Sequence, residues 1–129
     1  MTAWKTQTQI KEKHIVLIVS QDVKMVSAWE LVFRKKGCYV IHEQTPRHAL
    51  QAARLISPTL VIVDLDLPQP ESIALCKELR PMTGRALFLL APKTSDYDTA
   101  EYYKAGVDES LPPTVSPNVL LSKSLAWLS

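Results

Sequence analysis

The sequence predicts a three-layer α/β domain built on a five-stranded, doubly wound parallel sheet with helices on both faces. Two observations carry this. Ile15–Val19 (IVLIV), Leu60–Val63 (LVIV) and Ala86–Leu90 (ALFLL) are continuous apolar runs of strand length, as expected of strands buried on both faces of a parallel sheet. Between them lie segments with helical spacing, so strand and helix alternate along the chain. That alternation implies crossover connections and parallel pairing.

The first strand is Ile15–Val19. From Val23 to Lys36, the residues Met25, Val26, Trp29, Val32 and Phe33 share one helical face. Gly37 supplies the stop, and the basic cluster Arg34, Lys35, Lys36 suits the negative end of that helix dipole. Tyr39–Ile41 is a weaker second strand. Thr45-Pro46 reads as an N-cap followed by proline at the first helical position. The helix it opens turns Ala49, Leu50, Ala53 and Ile56 inward and ends before Pro58. After the third strand, Glu71–Leu79 is a helix with Ile73, Cys76 and Leu79 inward. The fourth strand follows, then a helix capped by Ser95 or Asp96 that ends at Ala105-Gly106. A short strand at Glu109–Leu111 and a helix opened by Ser116-Pro117 complete the pattern near Leu128.

The chain has 129 residues, enough for one core. Residues 14–129 form that single domain, and residues 1–13 precede it as an N-terminal extension in which Trp4 and Ile10 are candidates to dock on it. Hydrophobic residues make up 47% of the chain, a globular balance. No apolar run approaches the roughly 20 residues that span a bilayer, and the polar N-terminus lacks a signal-peptide core. A cytoplasmic location is expected.

Charge is balanced, 15 basic against 13 acidic residues for a net +2, which does not mark a nucleic-acid surface. The 2 cysteines, Cys38 and Cys76, have no metal-like spacing and read as small buried residues in a reducing compartment. The 3 histidines, His14, His42 and His48, show no ligand pattern. The 3 glycines, at 37, 84 and 106, make no phosphate loop after the first strand, which argues against a dinucleotide site or P-loop.

In a doubly wound sheet of flavodoxin-like strand order 2-1-3-4-5, ligands sit beyond the carboxyl ends of the strands, at the switch point between the first and third. The residues leaving those strands are Ser20-Gln21-Asp22 and Asp64-Leu65-Asp66. Asp64 ends an apolar strand and points into this crevice. On local grounds alone it serves equally as a strand-end cap.

Two stretches now carry a resemblance. Pro58-Thr-Leu-Val-Ile-Val-Asp64-Leu-Asp-Leu-Pro68 and Ala105-Gly-Val-Asp-Glu-Ser-Leu-Pro-Pro113 resemble the receiver domain of two-component response regulators, and the likeness spans residues 14–128. It implies that Asp64 stands where the family's phospho-accepting aspartate stands, receiving a phosphoryl group from a histidine kinase. The family's chemistry needs an acidic pair that holds Mg²⁺ with that aspartate, a lysine that pairs with phosphoryl oxygens, and a threonine or serine that follows the phosphoryl group. Metal and cation neutralise charge on the transferring group, and Mg²⁺ demands hard oxygen ligands.

The sequence departs from that pattern at nearly every partner. Ser20 and Gln21 occupy the acidic pair's places, with Asp22 one position late and better read as a helix N-cap. Leu90, or Ala91 in the adjacent register, stands in place of the hydroxyl residue. Pro112 replaces the lysine, Glu109 the switch aromatic and Ser72 a common loop glycine.

The expectation is therefore a non-enzymatic, atypical receiver: a phosphorylation-independent protein-interaction module in two-component signalling, with no catalytic residues and no cofactor. Its partner would be a signalling protein or an output domain, meeting a face formed by residues 96–128, where Tyr97, Tyr102, Tyr103, Val115 and Trp127 fall. That face also suits a homodimer, while membrane and direct nucleic-acid binding are not expected. Two alternatives stay open. One is a working phospho-acceptor in which Asp22 and Asp64 hold Mg²⁺ weakly. The other is a flavodoxin-like small-molecule-binding domain with a cavity at Ser20, Gln21 and Asp64.

Overall fold

In the computed structural model, which describes residues 13–92 and 95–129, five strands alternate with five α-helices. They are β1 (Ile15–Ser20), α1 (Val23–Lys35), β2 (Tyr39–Glu43), α2 (Pro46–Ile56), β3 (Leu60–Asp64), α3 (Gln69–Leu79), β4 (Ala86–Leu90), α4 (Asp96–Lys104), β5 (Glu109–Leu111) and α5 (Pro117–Leu128), with a 3₁₀ turn at Arg80–Met82 after α3. The sheet is wholly parallel, in the order β2-β1-β3-β4-β5. The expected class and strand order are both observed. Trp4 and Ile10 lie outside the described residues.

The three central strands, β1, β3 and β4, bury both faces, so the core has two halves. On one side Val16, Ile18, Leu60, Ile62 and Phe88 pack under α1 and α5, with Trp29, Phe33, Leu120 and Leu128. On the other, Leu17, Val19, Val61, Val63, Leu87 and Leu89 pack under α2, α3 and α4. The local start signals act as anticipated. Thr45 accepts from the His48 N–H, Ser95 from the Asp98 N–H and Ser116 from the Val119 N–H. Each satisfies a backbone donor that the first helical turn leaves unpaired. Gly37 stops α1 in the left-handed region, at φ +85°.

Several boundaries differ from expectation. β2 runs on to Glu43, and β3 includes Asp64. α3 begins at Gln69 rather than Glu71, with Pro70 in its first turn and no side-chain cap. Ser72 is therefore a buried helical residue, not a loop residue at a glycine's place, and it shares the inward face with Leu75 and Cys76. Ile73, expected inward, is only half-buried.

The Ala105-Gly-Val-Asp stretch has a structural role that spacing did not reveal. Asp108 accepts from Arg80 Nη1 at 2.5 Å and from the Leu87 N–H at 2.8 Å. Arg80 also donates to the carbonyls of Gly106 and Thr83. The end of α3, the start of β4 and the entry to β5 are thus fastened together. Gly106 sits at φ +104°, and a Cβ there would lie 2.7 Å from the Arg80 side chain. Both the backbone conformation and the close approach require glycine.

Candidate functional site

The carboxyl ends of β1, β3, β4 and β5 share one edge of the sheet, and four of the residues singled out from the sequence gather there. Ser20 pairs in register with Asp64. Leu90 ends β4 one step beyond the Val63–Leu89 pair. Pro112 follows Leu111, the last residue of β5. Side chains alternate along a strand, so Ser20, Asp64 and Leu90 project to the face covered by α1 and α5.

At the centre, Ser20 is fully buried and its Oγ donates to Asp64 Oδ2 at 3.0 Å. The same hydroxyl oxygen accepts from the Asp22 N–H at 3.1 Å. Ser20 therefore uses its donor on the aspartate and an acceptor on the turn that leads into α1. The Ser20 carbonyl is engaged as well: His42 Nε2 lies 2.7 Å from it, so that ring nitrogen carries the proton and donates. His42, read from sequence as structural or solvated, braces this turn from β2.

Asp22 is the N-cap of α1, its Oδ1 accepting from the Met25 N–H at 3.0 Å. Gln21 is exposed, and Asp66 is an exposed residue after β3. Leu90, only 2% exposed, belongs to the apolar core on the Asp64 side of the sheet. Pro112 is exposed and carries no side-chain donor. The carboxylates of Asp22 and Asp64 lie near the switch point, and one Asp22 oxygen already serves the helix. Among the described residues, no group of three or more His, Cys, Asp or Glu side chains could hold a metal ion. That donor set is a poor match to the octahedral oxygen shell Mg²⁺ requires.

Burial is the main cause that lifts the Asp64 carboxyl above its ordinary pKa; the Ser20 hydrogen bond opposes the rise, and the nearby Asp22 charge adds to it. The sign of the linkage follows. Folding favours the protonated form, so the carboxyl's contribution to stability is present at low pH and is lost as pH rises through the raised value. Asp64→Asn cannot ionise. It should be more stable than wild type at neutral pH, and the gap should close on acidification through the carboxylate range. Urea midpoints of the two proteins across that range test this; a gap that widens toward acid would contradict it.

Toward the other end of the chain, Glu109 is not a stray charge. Its Oε2 accepts from Trp127 Nε1 at 3.2 Å, and its Oε1 lies 3.7 Å from Lys123 Nζ. β5 is thereby tied to α5 through the position where a switch aromatic was expected. Sequence spacing held no signal for that pairing. Of the aromatic cluster, Tyr102 is buried, while Tyr97 is 71% and Tyr103 49% exposed. Cys38 and Cys76 are free and buried, and burial pushes the Cys76 thiol up to about 12.

A doubly wound parallel sheet of this order is the flavodoxin-like architecture, with Asp64 at its switch point. No family model matches the chain. Individual relatives do. The chain is 30% identical over 115 residues to the DNA-binding response regulator MtrA of Mycobacterium tuberculosis, covering 88% of this chain and 50% of that protein. It is 25% identical to the alkaline phosphatase synthesis transcriptional regulatory protein PhoP of Bacillus subtilis, with 88% and 48% covered. Among solved structures, a response regulator from Thermotoga maritima superposes with a TM-score of 0.80 at 21% identity, over 91% of this chain and 98% of that one. The chemotaxis response regulator CheY4 of Vibrio cholerae gives 0.77 at 20% identity, over 89% and 98%. The chain thus has the receiver-domain fold, and the curated proteins it resembles are response regulators. It spans about half the length of the curated relatives it matches.

Proposed function

We propose that this domain is an atypical receiver that signals by protein contact without needing phosphorylation of Asp64. The observation that carries the reading is the Ser20–Asp64 hydrogen bond at 3.0 Å. A neutral hydroxyl donor occupies the place of an acidic residue, and the aspartate is satisfied by the fold itself. Around it Gln21, Leu90 and Pro112 supply neither a metal-binding carboxylate, a hydroxyl nor a cation. A phosphoryl group arriving at Asp64 would meet little to neutralise its charge, and each missing donor costs about 2.7–4 kcal/mol of transition-state stabilisation. The domain is non-enzymatic on this reading and requires no metal. The division into an extension of residues 1–13 and a receiver of residues 14–129 belongs to the same proposal.

The partner, a signalling protein or an output domain, would meet the face of residues 96–128. The exposed Tyr97, Tyr103 and Val119 there support this, since exposed aromatics favour interfaces. No helix among the described residues is long and apolar enough to cross a membrane, and we place the domain in the cytoplasm. Ser20 is fully buried, so its hydroxyl lines no open cavity of the kind a small-molecule-binding domain would need.

Incubation with Mg²⁺ and acetyl phosphate, read by intact mass with Asp64→Asn as control, tests the central claim. No mass gain is expected in either protein. A single phosphoryl group on wild type and none on the variant would restore the phospho-acceptor alternative.

A further inference from the structure

The two edges of the sheet are not alike. β5 is three residues long and is closed by Pro112 and Pro113. Short strands and prolines are devices that keep an edge from pairing. β2 forms the opposite edge with five residues and no proline, and among the described residues no strand pairs on its far side. The Tyr39 N–H donates to the His14 carbonyl across to β1. By alternation the backbone groups of Tyr39, Ile41 and Glu43 face β1, and those of Val40 and His42 face outward.

Beside this edge, a cavity of about 310 Å³ is lined by Ile41, Glu43, His48, Gln51, Ala52 and Leu55, together with Ile56. Of its lining, Leu55 is 86% exposed, and Tyr39 on the same strand edge is 54% exposed. Lys13 Nζ lies 4.9 Å above the Tyr39 ring. His48, Gln51 and Leu55 are all exposed and sit at helical spacing on one flank of α2.

We propose that this edge pairs with a second copy of the chain, β2 against β2 in antiparallel register, to give one continuous ten-stranded sheet. The edge is self-complementary about Ile41. With the two-fold axis at that residue, Val40 meets the partner's His42 as a hydrogen-bonded pair, using the outward backbone groups of both. Ile41 meets its own copy as a non-hydrogen-bonded pair. Tyr39 falls opposite the partner's Glu43 on the α2 face, which brings the Lys13 ammonium toward that carboxylate. The flanks of α2 also run antiparallel, setting Leu55 of each copy against the His48 end of the other's cavity. A single operation therefore pairs the open backbone groups, matches a cation with an anion twice and covers the most exposed aliphatic side chain. This is the isologous logic of a closed dimer. It uses a surface distinct from the face of residues 96–128, so its failure would leave that proposal untouched.

Sedimentation equilibrium of the full chain over a concentration series tests the assembly, and Ile41→Cys tests its register. Directly opposed Cα atoms in a non-hydrogen-bonded antiparallel pair are about 4.5 Å apart, within disulfide range. Ile41→Cys should cross-link between copies on oxidation, while Tyr103→Cys, on the other face, should not. Leu55→Glu places an acid near the partner's Glu43 at a solvent-exposed position and should weaken the dimer at least about tenfold. Lys13→Glu and Glu43→Lys should each weaken it, and together they should restore it. A monomer at every concentration overturns the proposal. So does a dimer that ignores Leu55→Glu and cross-links through Tyr103→Cys. Dimerisation only after removal of residues 1–12 also overturns it, by showing that the full chain covers its own edge.

Discussion

Trp29→Ala should cost about 3–5 kcal/mol of folding stability, the range for deleting a large aromatic from a closed core. Trp29 is fully buried on α1, and it packs with Val26, Phe33, Leu120 and Leu128 where α1 meets α5 on one face of the sheet. The cavity would open between elements that cannot collapse independently, because both helices pack into the same half of the core. Domains typically hold about 5–15 kcal/mol in total, so the variant should retain only part of its stability. Trp29→Phe separates packing from hydrogen bonding. Among the described residues, the Trp29 indole N–H is the buried side-chain polar atom without a partner. Phenylalanine keeps most of the ring contacts and removes that unsatisfied donor, so its cost should stay below about 2 kcal/mol. Urea denaturation followed by circular dichroism measures both. A loss under about 1 kcal/mol for the alanine variant would mean that this half of the core repacks.

Most of the architecture was legible because its causes are local. The apolar runs at Ile15, Leu60 and Ala86 identify buried strands by composition. Asp22, Thr45, Ser95 and Ser116 each announce a helix start through a side chain that reaches a backbone N–H three residues on. What stayed hidden depends on distant partners. The 3₁₀ turn at Arg80–Met82 is held by Arg80 reaching Gly106 and Asp108, 26 and 28 residues away. α3 starts early at Gln69, whose Nε2 donates to Asp98 on α4 at 2.8 Å, a contact no local pattern encodes. At the candidate site the resemblance placed Asp64 and the missing partners by position. It did not reveal that Ser20 would join Asp64 to the start of α1, nor that His42 would hold the Ser20 carbonyl. Glu109 shows the same limit: its two partners, Lys123 and Trp127, become neighbours only once α5 packs beside β5.

The combined variant Ser20→Asp, Gln21→Asp, Pro112→Lys should gain Mg²⁺ binding and acetyl-phosphate labelling of Asp64. The scaffold needs no rearrangement for this. Ser20 already stands in register beside Asp64, and position 112 precedes Pro113, which keeps the turn after β5 extended. Without metal, the new acids would crowd Asp64 and Asp22. Asp64 is already raised in pKa by burial and by Asp22, and like charges disfavour ionisation further. The variant should therefore be less stable than wild type in chelator. Mg²⁺ binds only the folded arrangement, so it should raise the melting temperature of the variant with concentration while leaving wild type unmoved. Restoring one charge-stabilising group typically returns about 10²–10³ in rate, and labelling should rise by at least about 10²-fold. Leu90 is unchanged in this variant, so labelling is not expected to restore a hydroxyl-linked response. Thermal melts with and without Mg²⁺, followed by intact mass after acetyl phosphate, read the two effects separately. If the variant binds Mg²⁺ and is still not labelled, the block lies outside the restored charges, with Leu90 the pocket position left unchanged. If wild type is labelled as fast as the variant, the substitutions at positions 20, 21 and 112 do not disable the pocket, and the contact-only reading fails.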